Sequence, residues 1–233
     1  MSGMKTKKVQ NKKRSSKKQP AKVRHGAMAL LEFNTVASGV LASDLMVKKS
    51  PIALLRCGTI HPGRFLVLIG GSVASTQEAY AVGLEQGEND GSLSGNVFLG
   101  DVHPKLHDAV LGQRRDLEGD ALAVVETRSS PALLAAVDAA IKSTPVMLSE
   151  VRLGDDLGGH ALALMSGDLS DIEIALDICS ERAGDQLLAR TILPRLDAGL
   201  RSLLDQGTRF GACPAFEPDG AEYPEEVACS WDA

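Results

Sequence analysis

The chain repeats itself, and this limits its possible folds more than any other feature. The segment from Ala29 can be laid on the segment from Ala123 with a constant shift of 94, which places Glu32 on Glu126, Asp44 on Asp138, Lys48 on Lys142, Pro51 on Pro145 and Leu54 on Leu148. Further on, a shift of 96 places Gly63 on Gly159, Gly71 on Gly167 and Ala79 on Ala175. An insertion of two residues therefore separates the two blocks. A sequence of 233 residues with such a duplication is expected to form two small units of one kind. The expected division is a tail over 1–25, a first unit over 26–118, a second over 119–210 and a second tail over 211–233.

Each copy reads as strand, helix, strand, strand, helix, strand. In the second copy, residues 121–126 form a short apolar strand, and Ser129 or Ser130 can cap a helix whose first turn tolerates Pro131. Leu134, Val137 and Ile141 recur at helical spacing, and Pro145 ends that helix before a strand over 146–153. A glycine-rich turn over 154–159 leads to a strand over 161–165. Leu169, Ile172, Leu176 and Cys179 then share one helical face, and a strand over 186–193 closes the unit. In the first copy the strands fall near 27–33, 52–57, 64–69 and 96–101, with helices near 35–49 and 73–86. The pattern predicts an α/β (α+β) chain of tandem ferredoxin-like units, each an antiparallel sheet with helices on one face.

Composition narrows the function classes. Aromatic residues make up only 3% of the chain, so Ala, Val, Ile and Leu must fill thin helix-on-sheet layers, and a deep aromatic ligand pocket is not expected. The four cysteines, Cys57, Cys179, Cys213 and Cys229, show no C-x-x-C spacing, which fits a reducing cytoplasm. No apolar run approaches the roughly 20 residues that span a bilayer, so no membrane partner is expected. The net charge of -5 is unevenly spread, with ten Lys or Arg and no acid in residues 1–25 and twice as many acids as bases thereafter. The first segment reads as a disordered basic tail that either is simply solvated or contacts a polyanion. The segment from Cys213 onward has six acids and no base, and reads as a second loose tail.

Catalytic signatures are missing: there is no H-E-x-x-H, Walker loop, G-x-S-x-G or G-x-G-x-x-G. No catalytic residue and no enzyme activity are expected. His103 and His107, four apart, supply too few ligands for a closed metal site and read as surface histidines. The turns C-G-T-I-H-P-G-R-F from Cys57 and L-G-D-D-L-G-G-H-A from Leu153 occupy one position in the two copies, and each reads as a hairpin connection.

Several motifs carry a resemblance. A-L-L-E-F-N-T-V-A-S-G from Ala29 and V-V-E-T-R-S-S-P-A from Val124, each followed by D-x-x-x-K at Asp44/Lys48 and Asp138/Lys142, resemble the bacterial microcompartment (BMC) shell domain. The resemblance covers roughly 27–204. Within the family the chain is most similar to the tandem, trimeric branch of propanediol-utilisation shells, through T-I-H-P-G-R-F-L-V-L-I-G-G from Thr59 and G-G-H-A-L-A-L-M-S-G-D-L-S-D from Gly158. V-H-P-K-L at Val102 and I-L-P-R-L at Ile192 fit the same pattern.

The resemblance implies a homotrimer that imitates a hexamer and packs beside other shell proteins in a cytoplasmic microcompartment shell, with enzymes on its inner side. It implies a central pore ringed by Gly58, Thr59, Ile60, His61, Pro62 and Gly63 alternating with Asp155, Asp156, Leu157 and Gly158. Lys48, Lys142 and Arg195 would lie at the tile edge. In that branch the position of His61 holds a cysteine that binds an iron–sulfur cluster. His61 is not a thiolate, so no such cofactor is expected, and three converging His61 imidazoles could instead hold a divalent metal. Asp155 and Asp156, tripled, would form a carboxylate ring favouring cations.

Overall fold

The computed structural model describes residues 24–154 and 156–215. In chain order its main elements are β1 (Ala27–Phe33), α1 (Val36–Lys49), β2 (Leu54–Ile60), β3 (Arg64–Gly71), α2 (Val73–Asn89), β4 (Leu93–Leu99) and α3 (Pro104–Val110). The second copy follows as β5 (Ala121–Thr127), α4 (Ser130–Ser143), β6 (Met147–Leu153), β7 (Ala161–Gly167), α5 (Leu169–Ala183), β8 (Leu187–Leu193) and α6 (Ala198–Gln206). Single 3-10 turns occupy Gly184–Gln186 and Phe210–Ala212.

Each copy builds a four-stranded sheet, in the order β2-β3-β1-β4 and β6-β7-β5-β8, with every pairing antiparallel. The central strand β1 is buried along its whole length. That burial explains why it reads as a near-continuous apolar run rather than an alternation. On one face Ala29, Leu31, Phe33, Val67 and Ile69 pack with Ala42, Met46 and Ala79 of α1 and α2. In the second copy Ala123, Val125 and Met165 pack with Val137, Ile172 and Cys179 of α4 and α5.

The shift of 94 also holds for helix starts. Thr35 caps α1 by accepting from Ser38 N at 3.3 Å, and Ser129 caps α4 by accepting from Ala132 N at 3.4 Å. Ser129 rather than Ser130 is therefore the cap, each hydroxyl satisfying an otherwise unpartnered helix N–H.

Several expectations need correction. Strand β4 runs from Leu93 to Leu99 rather than over 96–101, and β2 extends to Ile60, so Gly58, Thr59 and Ile60 belong to a strand and only His61, Pro62 and Gly63 form the turn. Leu169 is exposed, which leaves Ile172, Leu176 and Cys179 as the buried face of α5. Two short helices, α3 and α6, occupy stretches of the two units to which the sequence pattern assigns no helix. They cover the second face of the sheets, α3 through Leu106, Ala109 and Val110 against Leu30, Leu66 and Leu68, and α6 through Leu204 against the cluster of Leu122, Leu164 and Leu196. Only the long helices thus share the predicted single face.

The histidines are not a surface pair. His107 is buried, its Nε2 accepts from His25 N at 3.2 Å, and His103 caps α3 with Nδ1 accepting from Lys105 N at 3.1 Å. The fold also claims the last residues of the basic tail. Arg24 donates from Nε and Nη2 to both oxygens of buried Asp108, at 3.2 and 2.7 Å. Arg115 Nη2 adds a third contact at 2.9 Å, and this set holds the Asp108 carboxyl down at about 2, the Arg24 hydrogen bond being the main cause. Residues 1–23 and 216–233, which hold the rest of both tails, lie outside the described residues.

Candidate functional site

The two glycine-rich turns meet. β2 and β3 are joined by His61, Pro62 and Gly63, and β6 and β7 by residues 154–160, so the two extra residues of the second copy fall within this connection. Gly154 has φ 73° and a Cβ there would stand 2.6 Å from Ile60 Cδ1; Gly159 has φ 84° and a Cβ there would stand 2.7 Å from His61 O. Both positions need glycine twice over, for the positive φ and for the close approach of the first turn. His61 and Pro62 are exposed at the tip.

The predicted carboxylate ring is altered. Asp156, at φ 60°, is ion-paired to Arg209 just before the last 3-10 turn, so its charge is countered within the chain. Asp155 lies outside the described residues. Among the described residues no group of three or more His, Cys, Asp or Glu is placed to hold a metal.

The seam between the copies supplies the second part of the site. Fully buried Glu32 receives Arg64 Nη1 at 2.6 Å and the Ser130 backbone N–H, at the N-terminus of α4, at 3.1 Å. Burial pushes the Glu32 carboxyl up while the Arg64 hydrogen bond and the Ser130 N–H oppose it. Asp138 accepts from His103 N at 3.0 Å, and Lys142 Nζ donates to Asp138 Oδ2 at 2.5 Å and to the Asp101 carbonyl. Lys105 Nζ reaches Val146 O at 2.9 Å, which ties α3 to the second copy.

The equivalent surfaces of the other copy are bare. Leu134 and Ile141 on α4 are 2% and 4% exposed, whereas Val40 and Val47, their matches on α1, are 53% and 48% exposed. Leu106 on α3 is fully buried; Leu200, its match on α6, is 39% exposed. Glu126, the match of Glu32, is only half-buried. The first copy covers one flank of the second, and among the described residues none covers the same flank of the first.

Comparison with known proteins agrees with this architecture. The BMC domain family matches residues 27–101 and 121–196. The chain belongs to the tandem BMC-domain shell proteins. It is 33% identical over 171 residues to the bacterial microcompartment shell protein PduT of Citrobacter freundii, across 72% of this chain and 92% of that one. It is 27% identical over 197 residues to the carboxysome assembly protein CcmO of Synechocystis, covering 78% of this chain but only 65% of the relative. A microcompartment protein from Desulfitobacterium hafniense superposes with a TM-score of 0.67 at 29% identity, over 76% of this chain and 98% of that one.

Within this BMC pair the residues expected at the tile edge differ in situation. Lys48 and Arg195 are exposed, Lys48 bonded to Asp44 at 2.6 Å, while Lys142 is engaged in the seam. The two connections also align differently from their sequence pattern. Val102 N donates to Gly26 O and Leu196 N to Asp120 O, which pairs Val102 with Leu196 rather than with Ile192. Neither Glu32–Arg64–Ser130 nor the Asp108 cluster was singled out from sequence. The one available signal for the first was a carboxylate recurring, at Glu32 and Glu126, inside an apolar strand in both copies. No described helix is long and apolar enough to cross a membrane.

Proposed function

We propose that the chain closes with two further copies into a threefold tile of a microcompartment shell, with a pore for small molecules or ions on its axis, and that it works as a structural and transport component rather than an enzyme. The observation that carries this reading is the mismatch between covered and bare flanks. The second copy offers β8, β5 and α6 as equivalents of the surface with which β4, β1 and α3 cover α4 and β6. The first copy offers bare α1 and β2. Such a head-to-tail surface on one chain is heterologous and closes by rotation into a ring. In that ring Glu126 accepts from Val36 N of the next copy, as Glu32 accepts from Ser130 N within the chain.

The turns already touch within one chain, so the ring alternates three His61-Pro62-Gly63 tips with three of the longer turns that join β6 to β7. The lining is mixed in charge, because Asp156 carries Arg209 with it. In such a ring three exposed His61 tips bring their imidazoles together on the axis, where they offer nitrogen ligands to a divalent ion. Other shell proteins are the neighbours of such a tile.

Cysteine pairing tests the ring. A Cβ at Gly95 of β4 would stand 3.4 Å from Pro131 Cγ at the start of α4, and the matching residues across the proposed junction are Ala189 and Ala37. In a chain with its native cysteines replaced, Ala37→Cys with Ala189→Cys should oxidise to a ladder of covalent species ending at three chains. A single band of intrachain product, or a ladder without end, would overturn the threefold reading.

A further inference from the structure

A cleft of about 330 Å³ opens on the face of the first sheet away from α1 and α2, beyond the end of α3. Leu30, Leu66 and Leu68 line it, as do Arg56, Arg152 and Arg209, of which Arg209 is already ion-paired to Asp156. No carboxylate is among the described residues lining it. That is unexpected in the chain beyond residue 25, where acids outnumber bases two to one. Arg56 Nη1 donates to Val110 O at 3.3 Å, and Arg152 Nη1 to the Thr208 hydroxyl at 3.2 Å. Exposed Arg56 keeps further N–H donors in a planar fork suited to carboxylates.

We infer that this cleft is the docking site of the chain's own acidic segment, residues 216–233. Three features of the molecule match segment to cleft. The segment carries Glu217, Asp219, Glu222, Glu225, Glu226 and Asp232 and no Lys or Arg. It also holds Phe216, Tyr223 and Trp231, in a chain with only five Phe, two Tyr and one Trp, so it pairs carboxylates with flat apolar groups, as the cleft pairs arginines with leucines. Aromatic rings stack on guanidinium planes as well as on apolar floors.

The third feature is position. The described chain ends at Ala215, six residues past Arg209 of the cleft wall. An unconstrained stretch of eight residues has an end-to-end distance of about 15 Å, which brings Tyr223 within range, and tethering gives an effective concentration on the millimolar scale. Gly58, Thr59, Ile60 and Leu153 also line the cleft, so a docked segment lies against the strand ends that carry both pore turns. The inference concerns one chain and does not depend on the ring.

Trp231 is the sole tryptophan, so its fluorescence reports on this segment alone. Acrylamide quenching of the full chain should be at least twofold weaker than that of a synthetic peptide of residues 214–233. Quenching should rise to the peptide value in Arg56→Glu and, to a smaller extent, in Arg56→Gln, with circular dichroism unchanged. It should also rise in about 1 M salt, where the screening length is about 3 Å. Deleting residues 1–23 should leave it unaltered. Wild-type quenching equal to the peptide overturns the inference, as does release of Trp231 on deleting residues 1–23, which would place the acids on the basic tail. Sedimentation of the same samples separates the two proposals, because protection that persists in a monomer supports docking whatever becomes of the ring.

Discussion

Replacing Glu32 and Glu126 in turn by alanine separates the seam inside the chain from the seam between chains. Glu32 is fully buried, and its loss leaves the Ser130 N–H and the Arg64 guanidinium without their acceptor. Breaking a buried pair costs about 3–5 kcal/mol, but Arg64 is 31% exposed and recovers water, and the burial that pushes Glu32 upward is relieved. About 2 kcal/mol remains. In urea unfolding at a concentration where the chain is monomeric, Glu32→Ala should lower the midpoint accordingly, with no dependence on protein concentration. Glu126 has no such contacts among the described residues of a single chain, so Glu126→Ala should stay within about 0.5 kcal/mol of wild type there, as surface changes do. In the ring each Glu126 gains a charged hydrogen bond to Val36 N, worth about 1.5–3 kcal/mol, so the same substitution should weaken each junction by about tenfold or more in sedimentation equilibrium. If both substitutions act alike on the monomer, or if Glu126→Ala leaves association untouched, the equivalence of the two seams is wrong.

Other outcomes follow from the same geometry. Gly159→Ala, strained in φ and directed at the His61 carbonyl, should cost about 1–3 kcal/mol in a thermal melt, more than Gly63→Ala, where φ is 73° but a Cβ meets nothing. Asp108 titrates at about 2 when folded, below the usual carboxylate value of 3.8. Its roughly 2 kcal/mol is therefore present above pH 4 and lost as pH falls toward 2, and Asp108→Asn should flatten that acid limb in unfolding measured from pH 7 to 2. Leu106→Ala should cost about 2–5 kcal/mol in the monomer, whereas Leu200→Ala should act mainly on association. Zinc titration followed by calorimetry should show one ion per three chains, abolished by His61→Ala, if the axial imidazoles bind metal, and no heat above background if they do not.

Much of the fold was legible because the repeat let each copy check the other. The apolar run from Ala29, the candidate capping serines Ser129 and Ser130, and Pro145 with its match Pro51 are local signals, and the repeat carries them from one copy to the other. What was not legible depended on contacts between units. His103 capping α3 is not a usual cap residue, so α3 read as a connection, and His107 looked exposed because its partner His25 stands at the end of a polar tail. The pairing of Asp156 with Arg209 was not legible for a similar reason, since Arg209 lies 53 residues away and no local pattern links them. Glu32 recurs at Glu126, yet sequence alone could not show that one copy buries it and the other leaves it half-exposed. That difference arises only when two unlike flanks lie in one chain.

The central claim is the threefold ring, and native mass spectrometry on the full chain tests it most directly. The account predicts a species of three 24.5 kDa chains at micromolar concentration, dissociating on Glu126→Ala with no change in monomer fold. A monomer of 24.5 kDa at every concentration, or a closed dimer, would contradict it.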